Sequence, residues 1–115
     1  MNALHGSIPT EVGILRNLRE LWFYDNILNG SVPTQLGLLT NLVHLLIHHN
    51  NLSYSLPSEM GMLSLLTKLE LDNNFLNSTI PSELGKLACK LIVERVLMLD
   101  KSRIHTLLCS KSFQQ

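Results

Sequence analysis

Apolar and polar positions along this chain follow a fixed spacing. Leu21-x-Phe23, Leu45-x-Ile47 and Leu69-x-Leu71 each set apolar residues two apart, the alternation of a short strand with one buried face. These strands are 24 residues apart, and so are the leucines around them: Leu18, Leu42 and Leu66, then Leu28, Leu52 and Leu76. Prolines recur in the same register at Pro9, Pro33, Pro57 and Pro81, glycines at Gly13, Gly37, Gly61 and Gly85, and asparagines at Asn2, Asn26, Asn50 and Asn74. A unit this short cannot bury its apolar side alone. The pattern therefore predicts stacked coils that share one continuous core.

One copy reads Leu18-x-x-Leu21-x-Phe23-x-x-Asn26-x-Leu28-x-Gly30-x-Val32-Pro33-x-x-Leu36-Gly37-x-Leu39. The next copy has Ile47, Tyr54 and Met60 where this one has Phe23, Gly30 and Leu36. The pattern resembles the leucine-rich repeat family in its 24-residue plant type, over residues 2–87. The resemblance implies an α/β repeat solenoid. A short parallel sheet would line its concave face, and irregular or 3-10 segments its convex face. Asn26, Asn50 and Asn74 are expected where each strand turns, their amides satisfying backbone groups of neighbouring coils. The Ile/Val/Leu-Pro steps favour extended backbone. The glycines that follow Leu36 and Leu84 are expected in turns that need positive φ.

Met1 falls in the column of Asp25, His49 and Asn73, so the register begins inside a repeat, after its strand. One partial and three near-complete copies give a solenoid over residues 1–87, with no N-terminal cap. The register is lost at Lys90, Val93, Arg95, Met98 and Asp100. Residues 88–115 therefore read as a cap or tail. The dense apolar run Leu91 to Leu99 fits a C-terminal helix laid over the last coil, a strand, or sequence appended to a truncated chain.

The formal charge is zero, which argues against a polyanion binder. It is unevenly spread: residues 1–87 hold four basic and seven acidic groups, and residues 88–115 hold five and two. Forty-five per cent hydrophobic residues exclude a disordered tail. Two cysteines, Cys89 and Cys109, are too few for a disulfide-stapled mini-domain or a four-cysteine zinc site. No apolar run reaches the ~18 residues of a membrane span. The opening Met1 to Gly6 lacks the basic start and apolar core of a signal peptide.

The outward strand positions form three columns: Glu20, His44, Lys68; Trp22, Leu46, Glu70; and Tyr24, His48, Asp72. Asp25, His49 and Asn73 follow at the turn edge. An exposed aromatic cluster with a polar rim suits a protein-binding hot spot. The expected ligand face is thus Trp22, Tyr24, His44, Leu46, His48, Glu70 and Asp72. Trp22 and Leu46 covering one another on a short sheet would look the same. His44 and His48 are four residues apart on a strand, too far to share a metal ion, so no metal is expected. No nucleophile–base set, phosphate-cradling loop or kinase motif is present, so neither catalysis nor a cofactor is expected. Three sequons offer Asn29, Asn51 and Asn77 for glycosylation if the chain is secreted.

The family resemblance implies an extracellular or cell-surface binding module for a protein, peptide or glycan on the concave face. The alternative is a repeat fragment with a structural role, stacking on repeats missing from this chain.

Overall fold

The computed structural model describes residues 3–76 and 82–84. Expectations for Asn77, Pro81, Gly85, the two cysteines and the segment 88–115 lie outside the described residues.

Each coil contributes a strand to the concave sheet: β2 (Glu20–Trp22), β4 (His44–Leu46) and β6 (Lys68–Glu70), parallel in the order β2-β4-β6. The register shifts by one full repeat per strand, with Glu20 opposite His44 and His44 opposite Lys68. Beyond the strand ends the ladder continues. Asp25 N–H donates to the His48 carbonyl (3.2 Å), and His49 N–H to that of Asp72 (2.9 Å). Short strands on a second flank, β1 (His5–Ser7) with β3 (Ile27–Asn29) and β5 (Ser53–Tyr54) with β7 (Phe75–Leu76), also pair in parallel. Bonds from Asn51 N–H to the Leu28 carbonyl and from Ser53 N–H to that of Gly30 link the two pairs.

The convex side is built of 3-10 segments at Thr10–Ile14, Thr34–Leu38, Ser58–Met62 and Ser82–Leu84. Pro9, Pro33 and Pro57 start the first three, with φ of −70° to −72°. Proline presets that angle, and its missing N–H is harmless at a helix start.

The glycines inside these segments serve a different purpose from the one expected. Among the described residues the glycines with positive φ are Gly6 and Gly30; Gly13, Gly37 and Gly61 are not among them. They are required by proximity. A Cβ on Gly37 would stand 2.5 Å from the Glu59 carbonyl oxygen, and one on Gly61 2.6 Å from that of Glu83. Successive coils touch backbone to backbone there, and no side chain fits between them. Left-handed backbone falls instead at Asp25, His49 and Asn73 (φ 56–57°), and in the column of Gly6 and Gly30, where Tyr54 has φ 67°.

Leu36, Leu39, Leu42, Leu45, Ile47, Leu52, Leu63 and Leu66 are wholly buried and form the shared core. Asn50 sits between coils. Its Oδ1 accepts from Leu28 N–H (3.0 Å), and its Nδ2 donates to the carbonyls of Phe23 (2.8 Å) and Ile47 (3.2 Å). Asn74 repeats this with Leu52 N–H and the carbonyls of Ile47 and Leu71. Asn26, in the first complete coil, accepts from Leu4 N–H and donates within its own coil to Phe23 and Tyr24. Among the described residues, the first coil is the least covered. Leu15 is 54% exposed, whereas its equivalents Leu39 and Leu63 are fully buried.

Candidate functional site

Strand alternation turns Leu21, Leu45 and Leu69 into the core, so the residues on either side of each face out over the concave sheet. Trp22, Leu46 and Glu70 form one lateral row. Trp22 is 55% exposed, but Leu46 is only 8% exposed. The middle strand has a neighbour on each side, whereas β2 is one of the two edge strands among the described residues. Leu46 is therefore the floor of the row, and Trp22 its accessible side chain.

The next row is more tightly organised than its residue types suggest. The Tyr24 and His48 rings stack 5.0 Å apart at 5°, and Trp22 tilts against Tyr24 at 6.4 Å. His48 is buried, with Nδ1 3.2 Å from Glu70 Oε2. Lys68 Nζ lies 3.6 Å from the other oxygen of Glu70. The first column is tied by Glu20 Oε1 to His44 Nδ1 at 2.9 Å. At the turn edge His49 stands between Asp25 (3.8 Å) and Asp72 (4.0 Å). Asn73 Nδ2 donates to Asp72 Oδ2 (3.0 Å) and lies 3.1 Å from His49 Nε2.

The residues named from sequence thus fall on one face in two accessibility classes. Trp22, Tyr24 and His44 reach solvent at least in part; Leu46 and His48 lie beneath them, and Glu70 and Asp72 are mostly covered. The sequence places Asp25, His49 and Asn73 at the turn edge of this face, outside the expected ligand set, and the structure brings Asp25, His49 and Asp72 together there. Among the described residues, no three His, Cys, Asp or Glu side chains gather as metal ligands, and no helix is long and apolar enough to cross a membrane. Asn29 and Asn51 are exposed on the second flank.

These features define a solenoid of stacked 24-residue coils with an open parallel sheet along one side. The Leucine Rich Repeat family profile matches residues 41–63 and 65–87, and the chain belongs to the leucine-rich repeat family. Among solved structures, it is similar to the BIR3–SERK2 complex from Arabidopsis thaliana, with 41% identity, a TM-score of 0.70 and coverage of 74% of this chain and 46% of that one. It is similar to the plant peptide hormone receptor RGFR1 in complex with RGF2, with 37% identity, a TM-score of 0.77 and coverage of 83% and 15%. It is also similar to the ectodomain of the Arabidopsis receptor kinase HAESA in complex with an IDA peptide hormone, with 34% identity, a TM-score of 0.76 and coverage of 83% and 16%. The chain thus spans under half the length of each. No curated protein sequence matches it.

Proposed function

We propose that this chain is a recognition module, not an enzyme, whose concave sheet binds an extended peptide or protein segment outside the cell or at its surface. The observation that carries this reading is Trp22, more than half exposed on an open sheet and backed by the Tyr24–His48 stack. Side chains in that row change from coil to coil while the backbone register repeats. The scaffold is held fixed, and the outward side chains vary freely on it. Two of the similar structures hold peptide hormones, which supports the ligand class. Asn29 and Asn51, on the other flank, remain open to glycan attachment without crossing this face.

The test is selection from a displayed library of random peptides against the folded chain. Trp22 is the chain's single tryptophan, so its fluorescence reports occupancy directly. Selected peptides should shift that emission. Trp22→Ala should cost about 2 kcal/mol of binding or more, with thermal unfolding unchanged. Peptides that ignore Trp22→Ala but are lost on Tyr54→Ala would place recognition on the wrong side for this reading.

A second reading has its own observation. The exposed Leu15 and Leu4 belong to columns that are buried in later coils, so the N-terminal face is shaped to receive another coil of the same repeat. In that reading the chain acts structurally, as part of a longer stack.

A further inference from the structure

Charge is unequally satisfied across the concave face. On the strands themselves, Glu20 is paired with His44, and Glu70 is held by Lys68 and His48. The turn edge differs. Asp25 and Asp72 share His49 as their ion-pair partner, at 3.8 and 4.0 Å, the outer limit of an ion pair, and Asp72 Oδ2 also accepts from the uncharged Asn73 amide (3.0 Å). Among the described residues no lysine or arginine lies within ion-pair distance of either carboxylate. Asp72 Oδ1 is buried there without a hydrogen bond, and Asp25 is 49% exposed. Arg19 stands six residues before Asp25, on the order of 15–20 Å along extended chain. That exceeds a screening length of ~8 Å at physiological salt, so Arg19 does not neutralise this edge.

Trp22 precedes Asp25 by three residues on the same coil. The apolar anchor and the Asp25 end of this acidic edge are therefore separated by about 10 Å or less. That is the span of roughly three residues in an extended ligand. Tyr24 lies between them, with one ring face on His48. Its aromatic surface favours a passing cation as well as an apolar group.

We propose that the segment this face takes is an extended peptide with a basic side chain about three positions from an apolar one. The apolar group seats on Trp22. The guanidinium or ammonium group passes Tyr24 and completes the charge of the Asp25–Asp72 edge. This inference rests on the concave-face reading and narrows its ligand.

The same displayed library separates the two. Peptides selected on the folded chain should be enriched in arginine or lysine. Their affinity should fall steeply with salt. The double variant Asp25→Asn, Asp72→Asn keeps side-chain shape and should weaken them about tenfold, equivalent to ~1.4 kcal/mol. Replacing the peptide's basic residue by glutamine should cost a similar factor, and the two losses should not add. Unchanged thermal unfolding of the variant would assign the loss to binding. Binders that depend on Trp22 but carry no basic residue and ignore the double variant overturn this inference and leave the concave-face reading standing. Binders indifferent to Trp22→Ala overturn both, as does a library that yields none.

Discussion

At the scale of single residues, the asparagine column shows how much one side chain can hold. Asn50 satisfies a donor in its own repeat's predecessor and carbonyls in two coils. Asn50→Ala strips the buried Leu28 N–H of its side-chain acceptor, a loss of about 1–3 kcal/mol where water cannot enter, while the Phe23 carbonyl keeps Asn26 as a donor. Asn26→Ala should cost clearly less. Its partner Leu4 is exposed, and solvent can take over the bond. Urea unfolding of the two variants would check the ranking, and equal midpoints would contradict it. The column was legible in the sequence because periodicity alone demanded a common role. The accessibility of the concave face was not. Trp22, Leu46 and Glu70 share a column, yet Trp22 lies on an edge strand, Leu46 has a strand on each side, and Glu70 is covered where it meets Lys68 and His48. Nothing within a single repeat encodes those neighbours.

Two glycine columns look alike in sequence and differ as elements. Gly37 sits in a 3-10 segment where the next coil's backbone leaves no room for a Cβ. Gly30 leads out of β3 with φ 76°. Residue type is the same in both cases, so the sequence could not tell close approach from backbone handedness. Gly37→Ala should destabilise by about 1–3 kcal/mol, the usual range for overpacking. Gly13→Ala should cost less, since its nearest contact is 2.9 Å rather than 2.5 Å. Tyr54 tests the other column. A left-handed tyrosine costs roughly 1–2 kcal/mol in backbone strain. Glycine gives back roughly 0.4–1 kcal/mol through a freer unfolded chain. Tyr54 is 68% exposed, so little burial is lost. Tyr54→Gly should therefore raise stability by up to about 1 kcal/mol, seen as a later thermal midpoint.

Across the whole molecule, stability depends on each coil having neighbours. The first coil's Leu4 and Leu15 are about half exposed where later coils bury the same columns. Fusing one further coil of the same repeat, in register, against this face should bury both. At ~1.5–3 kcal/mol for a fully buried leucine, half-burial gains about 1 kcal/mol for each. The extended chain should melt later and bind less of an apolar-surface dye. No gain in either measurement would show that the open end is already adequately covered. The stacking itself was fully legible, because a unit of 24 residues must share its core.

The left-handed backbone at Asp25, His49 and Asn73 has a consequence for how such a chain diversifies. Few side chains tolerate that conformation: glycine readily, asparagine, aspartate and histidine with modest strain. The edge of each coil therefore draws from a small, polar vocabulary, whatever sits on the strand beside it. Apolar and aromatic letters are admitted one position earlier, where the backbone is unrestricted. Under the proposed binding role, drift in ligand preference across copies would then be written mainly at the strand positions, with the edge choosing only among charge, amide and imidazole.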